Sequence, residues 1–196
     1  DGNLLSNFKD NHKVLGTTPE KIGKIAIKKG IPTIIDYFND KTSSKIVKKY
    51  GKAKIITATN VFAHIDNINA VVKSILKTLN HDGIFISESH YLLPLIQTVQ
   101  YDTIYHEHLR YYSLESLNYL FKKHNLEIID AKEIPTHGGS IRVYAARKGI
   151  YKVSDNLKKK LKKEKKNLNQ KSFKRFKKNV VTSKINLFNI IKKIKD

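Results

Sequence analysis

Short apolar runs alternate with helical segments along this chain, and that rhythm constrains its fold more than any other feature. HKVLGTTP (residues 12–19) reads as a strand closed by Gly16 and Pro19, with a helix expected from about 19 to 29. GIPTIIDYF (30–38) reads as a second strand, KTSSKIVKKY (41–50) as a helix, and AKIITATNVFAHI (53–65) as a third strand running into a loop. Residues 66–79 place Ile68, Val71, Val72, Ile75, Leu76 and Leu79 at helical spacing, with Asp66 as the expected N-cap. HDG (81–83) is expected to stop that helix, and IFISES (84–89) is a fourth strand. Continuous apolar strands separated by helices predict a mostly parallel α/β sheet covered on both faces.

After residue 90 the pattern changes. SLESLNYLFKKHNL (113–126) predicts a helix capped by Ser113, with Glu115 and Ser116 in its first turn. LEIIDAKEI (126–134) and SIRVYAARK (140–148) are strands joined by PTHGGS with no helix between them, so they are expected to pair antiparallel. Residues 155–196 predict one or two lysine-rich helices, with an apolar stripe of Phe173, Phe176, Val180, Leu187, Ile190, Ile191 and Ile194 that packs on something.

The net charge of +21 invites a nucleic-acid reading, but its distribution argues against one. Residues 151–196 carry 17 Lys and Arg against 3 acids, while residues 1–150 carry 21 against 14. The excess is nearly all lysine, a compositional habit more than an arginine-rich reading surface, although lysine patches do bind phosphate without specificity. No apolar run approaches the roughly 20 residues that span a bilayer, so no membrane partner is expected. Cysteine is absent, which excludes disulfides and thiolate metal sites and fits a cytoplasmic protein.

Ligands of an open parallel sheet bind at the carboxyl ends of its strands. Thr18, Asp36, Tyr37, Asn60, His64, Glu88, His90 and Tyr91 all follow expected strands. The densest concentration of chemistry is YDTIYHEHLRYYSL (101–114), with His106, Glu107 and His108 among four tyrosines. If this stretch were extended, His106 and His108 would face the same way as a metal-ligand pair, with His64 or His90 completing it. Spacing alone leaves base, metal and structural roles open for these histidines. Gly138 and Gly139, beside His137, permit positive φ and close approach of a ligand to the backbone.

Taken in order, DGNLL, VLG.TP, GI.T, ATNVFAHI, ES.YLL.LI, YDTIYHEHL.YYSL and HGGSIRV resemble the sugar C-methyltransferases that use S-adenosylmethionine. These are class I methyltransferases acting on nucleotide-linked 4-keto deoxysugars, and the resemblance covers about residues 1–150. It implies a Rossmann-like sheet of order 3-2-1-4-5-7-6, ending in an antiparallel hairpin and followed by a helical arm. It implies His108 as the base that removes a proton beside the ketone, with Tyr105 or His64 donating to the sugar or enolate oxygen and Glu107 orienting an imidazole or a sugar hydroxyl. Asp1, Gly2, Thr18, Asp36, Tyr37 and Asn60 would touch the cofactor. His106, Glu88, Tyr91, His137, Gly138 and Gly139 would line the sugar.

Two departures from the family pattern stand out. The chain begins inside the family's glycine-rich turn, so the central first strand is expected to be missing and the strands on either side to part or collapse. Thr18 stands where the family has an acidic residue. By the same resemblance, residues 1–150 are a partial methyltransferase domain and 151–196 an arm leading to a further domain and open to self-association. Zinc is expected only in a cysteine-rich domain preceding this unit, and no metal within it.

Overall fold

A computed structural model describes residues 1–195 as two compact units. One comprises Asp1–Ala53 with Asn69–Asn80, and the other Lys54–Ile68 with the described residues from His81 onward.

The first unit is built on a small βαβ crossover. After a short helix α1 (Asn3–Ser6), strand β1 (Gly16–Thr18), helix α2 (Gly23–Lys28) and strand β2 (Thr33–Ile35) follow, with β1 and β2 parallel and Thr17 opposite Ile34. Both strands are three residues long, shorter than the apolar runs suggested. The next helix, α3 (Asp40–Tyr50), starts where the Asn39 side chain accepts from the Thr42 amide at 3.0 Å. Helix α4 (Ile68–Thr78) presents the expected face, with Ile68, Val72 and Ile75 buried. It begins two residues after Asp66, the expected cap. Lys77 ties α4 to α3 through Asp40 and Ser44, at 2.8 and 2.6 Å.

The second unit carries a four-stranded sheet. Strands β3 (Ala53–Thr59), β4 (Leu79–His90), β5 (Leu126–Ile134) and β6 (Ser140–Arg147) lie in the order β3-β4-β6-β5. β6 runs antiparallel to both β4 and β5, as the hairpin reading required for β5 and β6. HDG does not precede β4 but lies inside it: the strand runs unbroken from Leu79, where the sequence suggested a start at Ile84. One reason is visible in its partners, since the Asp82 side chain pairs with Lys54 on β3 and its carbonyl accepts from the Tyr151 hydroxyl. Helices α5 (Leu92–Gln97), α6 (Leu114–Lys122), α7 (Asp155–Asn167) and α8 (Gln170–Lys195) complete the unit.

Within the four-stranded sheet the order β3-β4-β6-β5 matches the 4-5-7-6 part of the order the resemblance implied, and β1 and β2 form a separate two-stranded sheet. β3 is consequently the edge of its sheet and lacks the two-sided burial its composition suggested; Ile55 is 62% exposed. Nor does the arm separate at residue 150. α7 packs on β5 and α6 because Leu157 and Glu164 are buried and Lys160 and Lys163 pair with Glu133. The stripe on α8 is mostly uncovered: Phe173, Leu187, Ile190, Ile191 and Ile194 are all exposed. Among the described residues no helix is long and apolar enough to cross a membrane.

The core of the second unit is aromatic. Phe62, Phe85 and Phe121 are fully buried, with ring centroids 5.6 to 6.4 Å apart, and Tyr112 flanks them. Phe121→Ala is expected to cost about 3–5 kcal/mol in urea denaturation, because it leaves a cavity among three rings. Ile55→Ala on the exposed edge should change stability by no more than about 0.5 kcal/mol.

Candidate active site

The stretch 101–113 is not a strand. Tyr101–Thr103 form a 3-10 turn, and a tight turn follows in which the His108 amide donates to the Tyr105 carbonyl at 3.1 Å. That turn replaces the alternation of H-x-H with a different pairing. It sets Tyr105 against His108, ring centroids 4.4 Å apart, and leaves His106 and Glu107 at an exposed tip. His106 and His108 therefore do not share a strand face as a ligand pair. Among the described residues no group of three or more His, Asp or Glu is arranged to hold a metal ion.

His108 is oriented from both sides. Its Nδ1 lies 3.0 Å from the Thr103 carbonyl, which can only accept, so Nδ1 carries the proton. In the neutral ring Nε2 then keeps its lone pair, and the Tyr105 hydroxyl sits 3.3 Å from it as the donor. His64, on a 3-10 turn over Phe62–His64, is fixed the same way: its Nδ1 is 2.9 Å from the Glu107 carbonyl. Residue 107 thus does orient an imidazole, but through its main chain and not its carboxylate. The two imidazole rings lie 5.0 Å apart.

Further bonds lace the segments carrying these histidines together. The Leu109 amide donates to the Ala63 carbonyl at 2.9 Å. Arg110 forks onto the carbonyls of Ile65 and Asp66, the second at 2.7 Å. The buried Tyr112 hydroxyl donates to the Phe62 carbonyl at 3.2 Å, and its main chain bridges to Tyr91. Arg110 was not singled out from the sequence; a lone arginine between two tyrosine-rich halves carried no signal that its partners would be backbone oxygens.

The remaining substrate-side candidates divide. Glu88 is buried, its carboxylate held 2.7–2.8 Å from Arg142 directly across the β4–β6 pair, and this neighbour keeps the guanidinium firmly charged. The phenol of Tyr91 is 2% exposed and hydrogen-bonded to Glu164. Burial first and that carboxylate second push its pKa well above the tyrosine range, so it stays protonated. Glu88 and Tyr91 are therefore committed inside the protein rather than presented to a ligand. Gly138 and Gly139 have φ of 72° and 119°, but the backbone they bring close is approached by protein: a Cβ would stand 2.4 Å from Gln100 and 2.7 Å from Pro94. His137 at the exposed loop tip takes a left-handed φ of 54°.

Gln100, also missed in the sequence, organises this loop. Its Oε1 accepts from His90 Nε2 at 2.9 Å and its Nε2 donates to the Gly138 carbonyl at 2.7 Å. The residue before it, Val99, is held at φ 60°, a strained conformation for a β-branched side chain. Asn60, at the end of β3, also lies in the left-handed region, and its amide donates to the Glu88 carbonyl at 2.8 Å.

The cofactor-side candidates other than Asn60 belong to the first unit. Thr18 ends β1 and Asp36 follows β2, joined by the Asp36 amide donating to the Thr18 carbonyl at 2.9 Å. The Thr18 hydroxyl already accepts from the Glu20 amide, and the Asp36 carboxylate accepts from the Tyr37 amide and the Thr42 hydroxyl. Tyr37 projects, 69% exposed. Asp1 accepts from the Asn3 amide, and Gly2, with φ 79°, packs its Cα against Ala26 and Ile31 where a Cβ would clash.

Comparison with known families settles the class. The family described as "Methyltransferase domain" matches residues 1–131, and the "C-methyltransferase C-terminal domain" matches residues 135–196. The chain belongs to the methyltransferase domain family. Among curated proteins it is similar to the C-methyltransferase NovU of Streptomyces niveus, 35% identical over 159 residues. That match covers 74% of this chain but only 38% of NovU, so the chain spans well under half the length of this relative. A solved S-adenosylmethionine-dependent methyltransferase from Clostridium acetobutylicum superposes with a TM-score of 0.59 at 17% identity, covering 76% of this chain and 80% of that one. A SAM-dependent methyltransferase from Anabaena variabilis gives 0.56 at 15% identity, covering 75% and 74%. This methyltransferase-domain chain therefore has the class I fold expected from its motifs.

Burial pushes the Tyr112 hydroxyl of this domain up to about 12. The folded state resists its ionisation, so the stability it confers is complete below the ordinary tyrosine value and is lost as pH rises toward the folded one. Between about pH 10 and 12, Tyr112→Phe is expected to lose about 2 kcal/mol less than the native chain in urea denaturation.

Proposed function

We propose that this chain forms part of an S-adenosylmethionine-dependent C-methyltransferase acting on a nucleotide-linked keto-deoxysugar, with His108 as general base. The observation that carries the reading is the orientation of His108. A carbonyl pins its Nδ1 proton, so the basic Nε2 is the atom offered to a substrate, with a phenol and a second imidazole beside it. Carbon methylation beside a ketone needs that set: a base for the α-proton and donors for the oxygen on which negative charge develops. His108 Nε2 takes the proton. Tyr105, once its hydroxyl turns from His108 to the substrate, donates to the enolate oxygen, and His64 in its protonated form offers a second donor. Similarity to a C-methyltransferase supports carbon as the acceptor, and the sugar rests on the motif resemblance.

The strand-end residues of the first unit suit S-adenosylmethionine, which when bound supplies an electrophilic methyl group. Asp36 offers a half-buried carboxylate and Tyr37 an exposed ring at the carboxyl end of a parallel strand, with Thr18 at the end of its neighbour. Thr18, being neutral, makes a weaker hydrogen bond to a ribose hydroxyl than a carboxylate would. Asp1 and Gly2, in the same unit, complete this set. His106, His137 and the glycine loop would face the sugar.

Isothermal titration with S-adenosylhomocysteine tests the cofactor half, and Asp36→Ala is expected to weaken binding at least about tenfold. His108→Ala should leave that affinity within about twofold while lowering methyl transfer by a factor of about 10²–10⁴. Unimpaired turnover in the His108 variant would remove it as the base.

A further inference from the structure

Glu164 lies on α7, in the most lysine-rich part of the chain, where a solvated face is the natural expectation. It is instead 2% exposed. The inner face of α7 runs Leu157, Leu161, Glu164, so a carboxylate occupies a position whose spacing calls for leucine. Burying a carboxylate is costly unless donors meet it, and here three do. The amide of Leu114 donates to Oε2 at 2.6 Å, the amide of Glu115 donates to Oε1 at 2.9 Å, and the Tyr91 phenol supplies a third hydrogen bond.

These bonds complete the first turn of α6. Ser113 Oγ accepts from the Ser116 amide and Ser116 Oγ accepts from the Ser113 amide, a reciprocal capping pair that leaves the amides of Leu114 and Glu115 without intrahelical partners. Glu164 takes both, as a negative charge at the positive end of the helix. The segment that enters α6 at Ser113 is the one that carries His108. Its far side is tied to the turn bearing His64 through Glu107, Leu109 and Arg110, and its near side to Tyr91 through the Tyr112 bridge.

We propose that Glu164 is a positioning residue for the His64–His108 pair, reaching it from the C-terminal arm through Tyr91 and the first turn of α6. This rests on the reading of His108 as the base. The arm then belongs to the catalytic unit: Glu164 secures the Ser113 end of the segment that carries His108, beside the Tyr112 bridge to Tyr91.

The test follows the imidazoles directly in this chain. Nitrogen-resolved NMR is expected to find His108 and His64 as single species protonated at Nδ1. In Glu164→Ala both sets of ring signals should shift, and amide exchange at His108 and Leu109 should quicken at least about tenfold. Glu164→Gln, which retains an acceptor for one helix amide, should recover most of the native pattern. Tyr91→Phe removes only the phenol oxygen and keeps the test open if Glu164→Ala fails to fold; it should move the same signals by a smaller amount. In the active protein Glu164→Ala should lower kcat at least about tenfold with little change in KM, measured well below its melting temperature, with Tyr91→Phe less affected and Glu164→Gln near native. Ring signals and exchange at 105–112 that stay native in Glu164→Ala, or in Tyr91→Phe when Glu164→Ala does not fold, would overturn the proposal and confine Glu164 to a local helix cap. Shifted ring signals in a protein that never transfers methyl groups would count against the methyltransferase reading and leave the positioning role standing.

Discussion

Main-chain carbonyls, not side-chain carboxylates, decide what the histidines of this protein can do. The oxygens of Thr103 and Glu107 each hold one imidazole nitrogen as a donor, so the tautomer of His108 and of His64 is written into the backbone path. A neutral carbonyl orients each ring by accepting from Nδ1, and in His108 it turns Nε2 toward the Tyr105 hydroxyl. The segments that supply those carbonyls are held by the fork of Arg110, the Tyr112 hydroxyl on Phe62 and the capping of α6.

Much of this was legible from residue order. Strand–helix alternation gave the parallel β1–β2 pair, and the helix-free PTHGGS connection gave the antiparallel β5–β6 pair. Ser113 is the cap it looked like, and Ile68, Val72 and Ile75 form the buried stripe their spacing predicts. Tyr105, His108 and His64, singled out from two separate stretches by residue order and resemblance, do come together.

What the sequence hid has a common physical origin in tertiary partners. Asp82 sits in mid-strand because Lys54 and Tyr151 reach it, against the local preference of HDG for a turn. H-x-H became a turn, closed by the hydrogen bond from residue 108 to 105 and docked on the His64 turn through Glu107 and Leu109. Glu88 and Tyr91 stand at the expected strand end, yet their polar groups point to Arg142 and Glu164, partners more than fifty residues away. Glu164 did leave a trace, as an acid in register with Leu157 and Leu161, but charge composition drowned it.

Val99 gives the loop after α5 a mechanical character. Holding a β-branched residue at φ 60° costs on the order of 1–3 kcal/mol. The hydrogen bonds of Gln100 to His90 and Gly138 return a similar sum, each worth roughly 1 kcal/mol net. The turn thus sets a strained residue directly before the side chain that ties the end of β4 to the glycine loop, so strain and fastening sit at adjacent positions.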